Sequence, residues 1–188
     1  MEITFYRKLA NKVAEAVISN AEYSETEARR IRYGLVCIFS DLYKFLLLLI
    51  VFALFSAALE YLLAFAVILL LRPILGGYHA KSEFVCLAVS FITMAINVFA
   101  GRADAIPGSV QIVLVIALTV TGAFIAPVRT RRVDERKAAY RILAAVLTPA
   151  LLLLDYFYIP AQIVLVSVTI IYLLSLYQLF KNKLFNEI

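Results

Sequence analysis

Arg72-Pro-Ile-Leu-Gly-Gly-Tyr-His-Ala-Lys-Ser-Glu-Phe-Val-Cys86 interrupts two strongly apolar segments, Tyr61–Leu71 before it and Phe84–Ala100 after it. The contrast sets the fold class. The flanking runs read as membrane helices, and the interruption as a turn between them. Pro73 disfavours helix continuation and Gly76-Gly77 frees the backbone, so residues 73–80 are expected to form a loop dipping toward the membrane. Such a loop is tolerated at membrane depth only where protein or water covers it.

The whole chain follows the same pattern. It has 188 residues, 64% of them hydrophobic. Soluble domains are about 45–50% apolar, so this composition points to lipid. Six spans are expected, at about 35–55, 56–71, 84–100, 110–126, 138–154 and 160–180. Span two is charge-free only over Tyr61–Leu71, about 16 Å of helix against a core of about 30 Å. Either Glu60 lies in the far interface, or the span stops early. Gly101-Arg-Ala-Asp-Ala-Ile-Pro-Gly108 carries the turn signals between spans three and four. Pro149 is expected to kink span five, and Asp155-Tyr-Phe-Tyr158 reads as an aromatic interface marker.

Ahead of the spans, Phe5, Leu9, Val13 and Val17 recur every four residues among polar neighbours. This is an amphipathic helix, lying on the inner membrane face or packed against the spans. Ser24-Glu-Thr-Glu27 has the form of a capping box that starts a second helix, which runs on into span one. The fold class is therefore an all-α integral membrane protein of about six transmembrane helices with an N-terminal amphipathic interfacial helix. Three regions follow: 1–34 amphipathic, 35–180 membrane domain, 181–188 tail. The first apolar run begins only near Leu35 after a charged start, so no cleavable signal peptide is expected.

Net charge is +5, with 18 Lys and Arg. Apart from Lys44 inside span one, the basic residues fall on the side that six spans give to both termini; only Arg102 falls on the other. This positive-inside bias puts the termini, the 72–86 stretch and the 128–137 loop on the cytoplasmic side of the cell membrane. Placement in loops between apolar runs argues against nucleic acid. Two cysteines and one histidine build neither a disulfide framework nor a zinc site, and no metal or cofactor is expected.

His79 and Cys86 are the one thiol–imidazole pair that makes a nucleophile and its base. On one continuous helix they would stand about 10.5 Å apart along the axis, so His79 must lie off the helix and fold back. That predicts a break before Ser82. Cys86 near a helix N-terminus gains from the backbone N–H groups and dipole, with Arg72, Lys81 and protonated His79 as nearby cations. Backbone amides around Gly77, or Arg72, could hold an oxyanion. Glu83 opposes the thiolate unless it points to water or orients the histidine; Ser82 and Asp41 are further candidates for orienting it. The plainer alternative is a packed thiol and a loop histidine. Cys37 reads as a packing residue. Asp41 and Lys44, three apart in span one, read as a structural ion pair or as support for a nearby polar site.

Arg72-Pro73, Gly76-Gly77, His79 and Cys86 together resemble the signature of the accessory gene regulator B family of bacterial membrane peptidases. The hydropathy profile is similar along most of the chain, including Ala126-Pro127 before a basic loop. The resemblance implies a cysteine endopeptidase that removes the C-terminal tail of a quorum-sensing precursor peptide. Cys86 would attack with His79 as base, leaving a thioester that an internal cysteine closes into a thiolactone; some relatives use serine and form a lactone. It further implies that Arg129, Arg131, Arg132, Arg136 and Lys137 hold an acidic tail of the precursor, although membrane topology alone also accounts for those charges. The partners this reading admits are the precursor peptide, the lipid bilayer and a second copy of the chain. A reading from another class is a peptide exporter or non-catalytic peptide-binding membrane protein.

Overall fold

A computed structural model describes residues 5–20, 22–75, 82–127, 137–158 and 161–186. The chain is all-α: α1 (Phe5–Ser19), α2 (Glu25–Leu54), α3 (Ala58–Leu75), α4 (Glu83–Arg102), α5 (Gly108–Ile125), α6 (Lys137–Tyr158) and α7 (Ile163–Asn186). Helices α2 to α7 are the six long and apolar enough to cross a membrane. Two compact units divide it, one of residues Met1–Ala58 with Lys81–Ala88, the other of Leu59–Ala80 with Val89–Ile188.

In the first unit, α1 and α2 form a helical hairpin. Ser24 caps α2 as its sequence predicts: its Oγ accepts from the Glu27 N–H at 3.4 Å, and its own N–H donates to Glu27 Oε2 at 2.9 Å. From that cap α2 runs unbroken into span one. The face of α1 that packs is not the large apolar stripe. Tyr6, Ala10 and Ala14 are buried, while Phe5, Leu9 and Val17 are exposed. Small residues let the two helix backbones approach closely, which leaves the bulky stripe free for lipid. Tyr6 stacks on Tyr43 with ring centroids 5.1 Å apart, so the start of α1 lies beside the middle of α2.

The turn after α2 is tight. Ala57 N–H reaches back to the Phe52 carbonyl at 2.8 Å, and Ser56 takes the left-handed region at φ 53°. Span two then differs from its expected form, because α3 continues through Pro73 to Leu75. The proline ring is exposed, whereas Ile74 and Leu75 are buried. Burial of those two side chains sustains the last turn past the missing N–H.

In the second unit, Glu60 in the first turn of α3 accepts from Arg102 Nε at 2.7 Å in the last turn of α4. The two ends therefore meet. The short charge-free stretch is therefore part of a longer helix: α3 is long enough to cross, and Glu60 is paired with Arg102. Gly101 lets the end of α4 touch the start of α7, with the Gln162 N–H donating to its carbonyl at 3.1 Å. Gln162 also binds both backbone groups of Ile106, and Asp155 accepts from the Val164 and Leu165 amides. Asp155 is thus a buried cap for α7 as well as a neighbour of the exposed Tyr156 and Phe157. A core of Val67, Leu71, Leu118, Ala144, Leu152, Val168 and Tyr172 joins α3, α5, α6 and α7.

Candidate active site

Cys86 lies in the first turn of α4, half-buried, with its N–H bonded to the Ser82 carbonyl at 3.0 Å. The described helices stop at Leu75 and resume at Glu83, with Ser82 in a bend. His79, Gly76, Gly77 and Lys81 lie outside the described residues, so the expected His79–Cys86 contact does too.

What the first unit gathers around the thiol comes from α2. The Lys44 side chain is buried, and its Nζ donates to Ser40 Oγ at 2.8 Å and approaches Cys86 Sγ at 3.6 Å. Ser40 stands one turn before Lys44 on the same face, which is what brings the two together. The expected Asp41–Lys44 ion pair does not form: Asp41 is exposed, and Lys44 turns the other way.

Glu83, three residues before Cys86, accepts the Tyr43 hydroxyl proton at 3.2 Å through Oε1. Its Oε2 is buried with no hydrogen-bond partner among the described residues. Tyr6 closes this side. Burial pushes its hydroxyl up from the usual range; Arg7, whose Nε donates to it at 3.3 Å, opposes the shift, and Glu83 reinforces it. The cluster thus holds a thiol, an ammonium, a carboxylate and two phenols around the first turn of one apolar helix. Such groups are costly in lipid and persist where they serve one another or a substrate.

Arg72 is half-buried in the last turn of α3, in the second unit. Lys137 begins α6 and is exposed, while Arg129, Arg131, Arg132 and Arg136 lie outside the described residues. No group of three or more His, Cys, Asp or Glu among the described residues could hold a metal ion.

The chain matches the family profile described as accessory gene regulator B over residues 8–181. It belongs to the accessory gene regulator B family. An AgrB-like protein of Clostridium beijerinckii is 29% identical over 130 residues, which is 68% of this chain and 65% of that protein. Protein FsrB of Enterococcus faecalis (strain ATCC 47077 / OG1RF) is 38% identical over 61 residues, or 32% of this chain and 25% of that protein. The matches therefore span less than two thirds of either relative. No solved structure matches. Family membership and six apolar helices together make this a multi-pass membrane protein of accessory gene regulation.

Sequence reasoning did not connect Lys44 with Cys86. The available signal was the Ser40, Tyr43, Lys44 spacing, which puts three polar side chains on one face of an apolar helix. Nothing in the pattern of α1 marks Tyr6 as part of the cluster.

Proposed function

We propose that this chain is a membrane cysteine endopeptidase that cuts a quorum-sensing precursor peptide and closes the released fragment into a ring. The observation that carries the reading is Cys86 itself: a half-buried thiol in the first turn of a membrane helix, among polar groups that an apolar span would otherwise exclude. Membership in the accessory gene regulator B family supports it.

In this reading the Cys86 sulfur attacks the carbonyl carbon before the precursor's C-terminal tail. The C–N bond breaks, the tail leaves as an amine and takes a proton, and the remaining fragment is held as a thioester. His79 serves as the acid–base group, an assignment that rests on the sequence motif. A thiol within the fragment then attacks the thioester carbonyl, the bond to Cys86 breaks, and the ring closes. Transfer to an internal thiol succeeds over hydrolysis when water is kept out and the attacking group is held close. The positive-inside bias of the sequence supports a cytoplasmic placement of the start of α4 and of both termini. The arginines at 129, 131, 132 and 136 would hold an acidic tail.

The test is co-expression with a tagged precursor peptide encoded beside the gene, read by mass spectrometry. Wild type should release the tail and carry an acyl group on Cys86, while Cys86→Ala and His79→Ala release none. Equal release by all three, with normal membrane insertion, would remove the peptidase reading and favour a peptide exporter.

A further inference from the structure

We propose that Lys44, held in place by Ser40, keeps Cys86 as a resident thiolate and stabilises it again each time it leaves an acyl group. The inference deepens the peptidase reading and rests on it for its role in turnover; the pairing itself does not.

The argument starts from Lys44. Its side chain is buried at 8% exposure in the middle of an apolar helix. A buried ammonium needs a counter-charge or must give up its proton. Its neighbours are the Ser40 hydroxyl at 2.8 Å, the Cys86 sulfur at 3.6 Å and the Tyr43 ring with its centroid at 5.7 Å. None of these is a carboxylate. On its own helix Asp41 is exposed. On α4 the Glu83 carboxylate binds the Tyr43 hydroxyl, and on α1 Arg7 binds Tyr6. Among the described residues, Cys86 is the group in contact with Lys44 that can supply the negative charge. A neutral thiol leaves the ammonium uncompensated, whereas a thiolate makes a close ion pair that also sits at the start of a helix.

Two chemical consequences follow. The resting sulfur is already deprotonated, so its attack requires no proton removal. The carbonyl becomes an oxyanion as the S–C bond forms, and collapse expels the tail amine, which takes its proton from the acid–base group. In ring closure the fragment's thiol loses its proton to that same group, its sulfur bonds to the carbonyl carbon, and Cys86 departs as a thiolate. The Lys44 ammonium stands where that leaving charge appears. Stabilising the departing sulfur speeds exchange to another thiol. Lys44 contacts the reacting atom and is in that sense catalytic; Ser40 positions it.

The test needs no peptide. The full chain with Cys37→Ala leaves Cys86 as the single thiol. Alkylation by iodoacetamide is followed by mass spectrometry across a range of pH in detergent. Lys44→Met should cut the rate at neutral pH by about tenfold or more and move the profile at least about one unit upward, while Lys44→Arg keeps most of the wild-type rate. A Lys44→Met profile that overlays the parent's overturns the proposal. Should Lys44→Met fail to insert, Ser40→Ala decides. It is expected to move the profile upward by a smaller amount, and no movement overturns the proposal. The two readings fail separately. Cleavage lost in Cys86→Ala with an unmoved Lys44→Met profile removes the role of Lys44 alone. Cleavage retained in Cys86→Ala removes the peptidase and leaves the ion pair to be judged by its profile.

Discussion

Replacing Gly101 with alanine adds a single methyl where the end of α4 meets the start of α7 in the second unit. A Cβ at Gly101 would lie 2.7 Å from Ile163 Cα, 2.8 Å from its Cγ1 and 3.1 Å from its N. The Cγ1 could swing away by a rotamer change, but the Cα and N are backbone and cannot. The start of α7 must therefore retreat by about 0.7 Å, the gap between 2.7 Å and the 3.4 Å at which ordinary contact begins. That retreat loosens the Gln162 N–H bond to the Gly101 carbonyl. Overpacking of this kind costs about 1–3 kcal/mol. Alanine also gains about 1 kcal/mol of helix propensity over glycine, which partly offsets it. Gly34 isolates that gain, because a Cβ there meets nothing within 4 Å. Thermal midpoints of Gly101→Ala and Gly34→Ala, measured in detergent by fluorescence-detected size exclusion, should differ by about 2–12 °C, with Gly101→Ala the lower. A gap under about 1 °C would show that α7 does not rest on the Gly101 backbone, and the reasoning would fail.

Three further outcomes are expected. Asp155→Asn should lower the thermal midpoint by about 2–8 °C, because an amide cannot accept from both the Val164 and Leu165 N–H groups as the carboxylate does. Tyr43→Phe removes the donor to Glu83 Oε1, leaving neither carboxylate oxygen a hydrogen-bond partner among the described residues; a loss of about 1–3 kcal/mol should appear as a lower midpoint, and an unchanged one would mean the Tyr43–Glu83 bond contributes nothing. Arg131→Glu with Arg132→Glu should weaken processing of an acidic-tailed precursor while membrane fractionation stays normal, and equal processing would remove the loop from substrate binding.

The helices were largely readable because each apolar run is long and each junction carries turn chemistry. Ser24 and Glu27 announced the start of α2, and the apolar runs gave α4 and α5 to within two residues. Pro73 misled because local preference was weighed without the burial of Ile74 and Leu75, which only the fold supplies. The α1 stripe was read as facing the membrane or packing on the spans; Phe5, Leu9 and Val17 are exposed, as the first of these expects, and close packing on α2 selects Tyr6, Ala10 and Ala14, which the apolar spacing did not mark. At the site, Cys86 was expected in the first turn of its helix, and it lies there. Lys44 was not tied to it, because spacing offers Asp41 as a partner and cannot report that the Lys44 side chain turns to Ser40 and α4 instead.

The unit that holds Cys86 joins residues 1–58 to residues 81–88 and omits the helix between. During synthesis, then, Tyr6, Tyr43 and Lys44 are made and inserted while their α4 partners are still unmade. An ammonium in the middle of the first span must wait for α3 to be laid down before the sulfur arrives. Until then Ser40, on the same helix, is the acceptor already at hand. The order of translation therefore makes α4 the step that completes the pocket. A chain halted before it would carry Lys44 with no thiol beside it.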